Sequence, residues 1–291
     1  MPSFSDCRFK HLIIQFITIS ILLSASMLAT ATEKGLFWKM ESPTGKTSYL
    51  FGTMHSDDNR IADLSPSMVD AIKSVDIFLM EAESSNDPTA LMTPDVLSEK
   101  LTEKEFDQVR DLAEYHVMHL NAAMHMKPWL LAVIFDLPKP QTPFAQDNLL
   151  MRKAQDSEKD VVGIETAKEH FGIMDDFTME EQMVMLRAVL KRTPEQKEAD
   201  FETLLAAYLE GDSEKISALD EKITGGMLPQ ALWAKMKVKL LDNRNVVMAK
   251  RTVEIANTTP VFIAVGASHL AGDTGLIAAF KKAGYKLSHV K

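Results

Sequence analysis

A chain of 291 residues with 41 acidic against 32 basic side chains and a formal net charge of −9 lacks the basic face that nucleic acid demands, so nucleic acid is not the expected partner. Its single cysteine, Cys7, precedes the first apolar run, which leaves the mature chain without a disulfide or thiol chemistry. About 260 residues remain beyond that run, enough for one large α/β domain or two small ones.

Arg8 and Lys10 precede an apolar run from Leu12 to about Leu28, and Ala29-Thr30-Ala31 then fits the small-x-small pattern of a cleavage site. Residues 1–31 therefore read as a secretory signal peptide. The mature chain, 32–291, is expected in the periplasm or outside the cell. An uncleaved anchor is the competing reading, but Gln15, Thr18, Ser20, Ser24 and Ser26 dilute the run and its basic flank lies on one side only, so no stable membrane insertion is expected after cleavage.

Leu36 to Met40 and Thr47 to Phe51 flank the turn-like Ser42-Pro43-Thr44-Gly45, which predicts a β-hairpin whose second strand runs into Gly52-Thr-Met-His55. Ser65-Pro66 reads as an N-cap followed by proline at the first helical position, opening a short helix to about Ser74. Asp76 to Met80 is a buried strand with Glu81 where it finishes. From about 93 to 256 helical periodicity dominates; the exception is a short apolar run, Asp160 to Ile164, that ends in Gly163-Ile-Glu-Thr166. Leu228 to about Ile255 reads as one long helix or two joined ones, and Pro260 breaks it. Val261 to Val265 is a continuous apolar strand followed by Gly266-Ala-Ser-His269. An amphipathic helix, Gly275 to Ala283, and a last strand near Tyr285 to Val290 complete the chain.

Two strands thus end in the same way, in Gly-x-x-His. In an α/β sheet ligands collect at the carboxyl ends of strands, so the repeated placement is what one shared site would need. Glycine there permits a positive φ and close approach of the backbone to a bound group. His55 and His269 become candidates for two ligands of one metal, or for a base and its partner in a metal-free hydrolase; Glu81 is the third member of either set. Asp57 or Asp58 could add oxygen ligands, although capping of a helix-like turn is the stronger account of both. Tyr115 to Met126 gathers His116, His119 and His125 with three methionines, a composition that suits copper. At about 100° per residue His125 falls opposite His116, so one unbroken helix cannot bring the three together, and a mixed helix end is expected.

Leu50-Phe-Gly-Thr-Met-His55, Asp76 to Glu81, Gly163-Ile-Glu-Thr166, Asn243-Arg-Asn245 and Val265-Gly-Ala-Ser-His-Leu270, in that order, resemble the TraB/GumN family, relatives of the Tiki proteases. The resemblance implies an α/β fold of the erythromycin esterase/ChaN-like kind, here with a central sheet and a large helical middle section. It implies as functional residues His55, His269, Glu81 and Arg244. By analogy with Tiki members it implies a metal-dependent, peptidase-like hydrolase holding Mn, Co or Zn through His55, His269 and Glu81. Arg244 would clamp a substrate carboxylate or a developing oxyanion, with Arg60 as a weaker rival and Glu165 as a supporting acid. A peptide or small molecule is the expected substrate. Two alternatives remain: a metal-free esterase-like hydrolase with His55 as base and Glu81 orienting it, and a non-enzymatic protein that binds haem or peptide.

Overall fold

The computed structural model describes residues 35–290 except 84–86 and 143; the signal-peptide reading of residues 1–31 lies outside the described residues. The architecture is mixed α/β. Six strands form one sheet in the order β4-β3-β5-β2-β1-β6, where β1 is Phe37–Glu41, β2 Thr47–Thr53, β3 Ile77–Ala82, β4 Asp160–Glu165, β5 Val261–Gly266 and β6 Lys286–His289. The hairpin is present, with Phe37 opposite Phe51, and β6 adds antiparallel to β1. β2, β5, β3 and β4 run mutually parallel.

The last long strand of the sequence occupies the middle of the sheet. Five of the six residues of β5 are buried, as a strand covered on both faces requires. Its alternate residues face opposite ways. Phe262 and Ala264 join Phe51, Phe78, Leu150 and Leu205 on one side, with Phe78 and Phe262 stacked at 5.5 Å. Ile263 and Val265 join Trp38, Leu50, Leu79, Met248 and Phe280 on the other. The chain leaves β3 toward β4 and leaves its neighbour β5 toward β6, in opposite directions along the sheet, and a crevice opens at their carboxyl ends.

Short helices tie these strands together. Ser65 caps Pro66–Lys73 through its hydroxyl, with proline in the first turn. The middle section packs around a separate core that includes Val109, Leu131, Phe135, Leu186 and Leu232. The histidine and methionine cluster is a mixed helix end: Glu103–Tyr115 stops at His116, Val117 takes a φ of +57°, and His119 precedes the helix Leu120–Ala123. The stretch after Leu228 resolves into two joined helices, Gln230–Lys237 and Asn243–Ala256, linked by a π-helical turn over Val238–Asp242. Among the described residues no helix is long and apolar enough to cross a membrane.

Candidate active site

Three adjacent parallel strands, β3, β5 and β2, deliver Glu81, His269 and His55 to one edge of the sheet. Register makes this possible: Thr53 lies beside Gly266, and Met80 beside Ala264. A β-carbon built on Gly266 would sit 3.2 Å from Glu81 Oε1, 3.8 Å from His55 Nε2 and 3.8 Å from His269 Cδ2. The three side chains converge over one glycine α-carbon.

Gly266 has a φ of −54°, so a positive φ is not the reason for glycine here; close approach is. Gly52 tells the same story, since its β-carbon would meet Leu270 Cδ2 at 3.0 Å and the Ala267 α-carbon at 3.1 Å. Substituting Gly266 by alanine is therefore expected to leave the fold intact but to place a methyl group where a substrate atom would sit. Turnover measured alongside circular dichroism checks this; unchanged activity would show that the space over Gly266 is not used.

Arg244 organises the interior of the site. The π-helical turn precedes it directly, and such turns recur where a helix must aim a side chain off its regular path. Its guanidinium is buried and fully engaged: Nη2 donates to Glu81 Oε2 at 2.7 Å and to Glu165 Oε2 at 2.9 Å, Nε donates to Glu165 at 3.1 Å, and Nη1 donates to the Leu240 carbonyl at 3.3 Å. Arg60, the rival clamp, is tied instead to Asp58 and Glu202. Asp58 caps the turn Asn59–Ala62, and Asp57 accepts from the backbone N–H groups of Gln141 and Thr142.

The protonation of His269 follows from its neighbours. Asn245 Nδ2 donates to the Thr274 carbonyl, which makes Asn245 Oδ1 the acceptor for His269 Nδ1–H at 2.7 Å. Nε2 therefore carries the lone pair and accepts from Arg244 Nη1 at 3.2 Å. Burial pushes this imidazole down to about 4, Arg244 reinforcing the effect and Glu81 opposing it. His269 is neutral at pH 7. His170 lies beside the same guanidinium, its Nδ1 3.0 Å from Arg244 Nη2 and 3.2 Å from Glu165 Oε2, close enough to serve either one at a time.

Glu81 is ionised. Burial alone would raise its pKa, but the charges of His269, Arg244 and His55 and the N–H of Gly266, donating to Oε1 at 2.6 Å, hold it below the usual carboxylate range. With His269 neutral, Arg244 and His55 supply that field at physiological pH. Glu165 is likewise held low against its burial by His170 and Arg244.

His55 stands apart. Its Nδ1–H donates to Asp147 Oδ2 at 2.8 Å, and the Thr53 hydroxyl donates to the other carboxylate oxygen. The neighbouring Gln146 binds the Met54 N–H, the Tyr208 hydroxyl and the Ile61 carbonyl, so the first turn of the helix Gln146–Asp156 is stitched to the loop after β2. The Asp147 charge lifts the imidazole against its desolvation, to about 9. Its side chain is 64% exposed, so solvent screens part of that attraction. Asp147, not Glu81, orients His55, and nothing in the local sequence marked it.

The family model for the TraB/PrgY/gumN family matches residues 36–289, which takes in every strand and the whole helical section. This chain belongs to the TraB/PrgY/gumN family. Comparison with curated proteins returns no match. For this family member, the expected metal meets an obstacle in the donor set. The lone pair of His269 Nε2 points at Arg244, Glu81 Oε2 accepts from the same guanidinium, and a cation placed among the three would face that fixed positive charge. Among the described residues, no group of three or more His, Cys, Asp or Glu side chains is arranged to hold a metal ion. As arranged, His55, His269 and Glu81 do not fit one.

Proposed function

We propose that this chain is a hydrolase of acyl carbonyl compounds in which His55, oriented by Asp147, is the general base. The observation that supports it is the His55–Asp147 pair: one ring nitrogen is held by a carboxylate, and the other is directed at the point over Gly266 where Glu81 and His269 also meet. His55 Nε2 takes a proton from water as that water attacks the substrate carbonyl, and returns it to the alcohol or amine that leaves when the tetrahedral intermediate collapses to the carboxylic acid. The Arg244 guanidinium, whose N–H groups are taken by Glu81, Glu165, His269 and the Leu240 carbonyl, fixes Glu81 and His269 around the point over Gly266 rather than binding the oxyanion itself. Arg244, Glu165 and Asn245 are positioning residues for Glu81 and His269. With residues 1–31 read as a leader, the proposed activity belongs outside the cytoplasm.

The step as drawn requires no divalent ion, and chelation separates it from the metal-dependent reading. Turnover of a p-nitrophenyl ester by protein dialysed against a chelator is expected to match that of untreated protein, and elemental analysis should find no stoichiometric Mn, Co or Zn. Activity lost on chelation and restored by one of those ions would overturn the metal-free reading.

The pH profile tests the base. Because Asp147 raises His55, the deprotonated form grows as pH rises, so kcat/KM should climb about tenfold per pH unit from pH 6 and level off near 9. A profile that falls over that range would make His55 an acid instead.

A further inference from the structure

The cavity of about 580 Å³ that His55, Glu81, Arg244, Gly266 and His269 line extends well beyond them into the helical section. Its volume lies within the roughly 300–1,000 Å³ typical of pockets that enclose a small molecule. Away from the charged cluster the wall is apolar, with Val133, Met185, Ile223, Met227, Leu228 and Leu240 among its residues. Most of the polar side chains it does contain are already engaged. Arg192 pairs with Asp136 and Asp200, Lys197 Nζ donates to the Phe135 carbonyl, the Thr224 hydroxyl donates to Asp220, and the Tyr208 hydroxyl donates to the Gly52 carbonyl. The indole N–H groups of Trp129 and Trp233 have no partner, and both are shielded from solvent.

Such a wall discriminates between occupants. An extended peptide brings one N–H and one C=O per residue into the cavity, more polar groups than the two unpartnered indole N–H groups can satisfy. A polymethylene chain brings none. Val133 and Leu137 are 54% and 39% exposed while lining the cavity, as is the exposed His55, so an apolar rim reaches solvent beside the proposed base.

We propose that the site accepts a carboxyl derivative of a single long acyl chain, a fatty ester or amide, with its carbonyl over Gly266 and its chain along the helical wall. For the reaction this rests on the hydrolase reading; for binding it does not. Each methylene taken up by the wall should raise kcat/KM two- to fourfold, the upper figure corresponding to about 0.8 kcal/mol per buried CH₂.

The experiment uses the purified protein with two readouts. In the first, 11-(dansylamino)undecanoic acid serves as a fluorescent probe, displaced by dodecanoate or by an apolar octapeptide. In the second, p-nitrophenyl esters from acetate to myristate are compared by kcat/KM. The expected result is saturable probe binding, displacement by dodecanoate at lower concentration than by the peptide, and rates that climb with chain length until the cavity is full. Met227→Lys should weaken probe binding at least tenfold. Val133→Asp, at an exposed position where folding is not at stake, should weaken it severalfold. Absence of probe binding, tighter binding of the peptide, or probe binding indifferent to both variants would overturn the acyl-chain assignment. Rates flat across chain length with good turnover of the acetate would overturn it too, and would leave the hydrolase reading standing. Probe binding with no hydrolysis of any ester would have the opposite meaning: the acyl chain is right and the catalytic reading fails.

Discussion

Arg244→Ala is expected to destabilise the protein by about 3–5 kcal/mol, read as a drop in denaturant midpoint at pH 7, and to abolish turnover. The cost comes from what is left behind. Glu81 and Glu165 side chains are only 12% and 3% exposed, and both accept from this one guanidinium. Removing it strands two buried carboxylates beside each other, where each must pay desolvation without a counter-charge or be protonated. Lysine is a poor substitute, because a single ammonium cannot span Glu81, Glu165, His269 and the Leu240 carbonyl as the fork of the guanidinium does.

The pH dependence of that loss has a definite sign. In the parent both carboxyl pKa values are lowered, so their contribution is present above the unfolded value, about 4.3 for glutamate, and fades as pH falls through the folded values. In Arg244→Ala burial raises them instead, and acid neutralises the stranded groups. The gap between parent and variant should therefore narrow as pH falls from neutrality toward about 4.3, and narrow further below it. A triple change, Arg244→Met with Glu81→Gln and Glu165→Gln, should recover most of the stability and none of the activity, since an uncharged set of similar volume need not be paired electrostatically. A variant gap that does not change with pH would mean that the cluster is not held by charge.

The frame of this site was legible in the sequence because it is written locally. Continuous apolar runs ending in Gly-x-x-His mark β2 and β5 without help from distant residues, and the parallel pairing of these two strands brings their endings together. The glutamate ending β3 followed from the same logic. What was not legible depends on tertiary encounter. Asp147 sits in the first turn of a helix, where an acidic residue ordinarily reads as a partner of the helix dipole; its pairing with His55 spans 92 positions. The π-helical turn before Arg244 leaves no mark either, because one extra residue in a turn changes the apolar spacing less than the natural irregularity of the pattern. Asn245 stood inside a recognised motif, yet its role in fixing the tautomer of His269 required knowing that Thr274 takes its amide hydrogen.

His55→Ala should lower kcat by about 10²–10⁴ with little change in KM or melting temperature, as loss of a general base at an exposed position does. The exposure of the ring matters, because nothing buried is orphaned except Asp147, which keeps the Thr53 hydroxyl. Asp147→Asn separates orientation from presence. The amide retains the shape of the carboxylate but not its charge, so the inflection of the pH profile should move down from about 9 toward the ordinary histidine value near 6.5. The maximal rate should fall at the same time, because an Asn nitrogen facing Nδ1 favours the wrong tautomer. A merely structural Asp147 would change stability and leave the inflection where it was. If the base were Glu81 instead, neither substitution would shift the profile, and Glu81, held ionised well below neutral pH by Arg244, would give a rate independent of pH from 6 to 9. The movement of that inflection is what distinguishes a catalytic dyad from a surface ion pair.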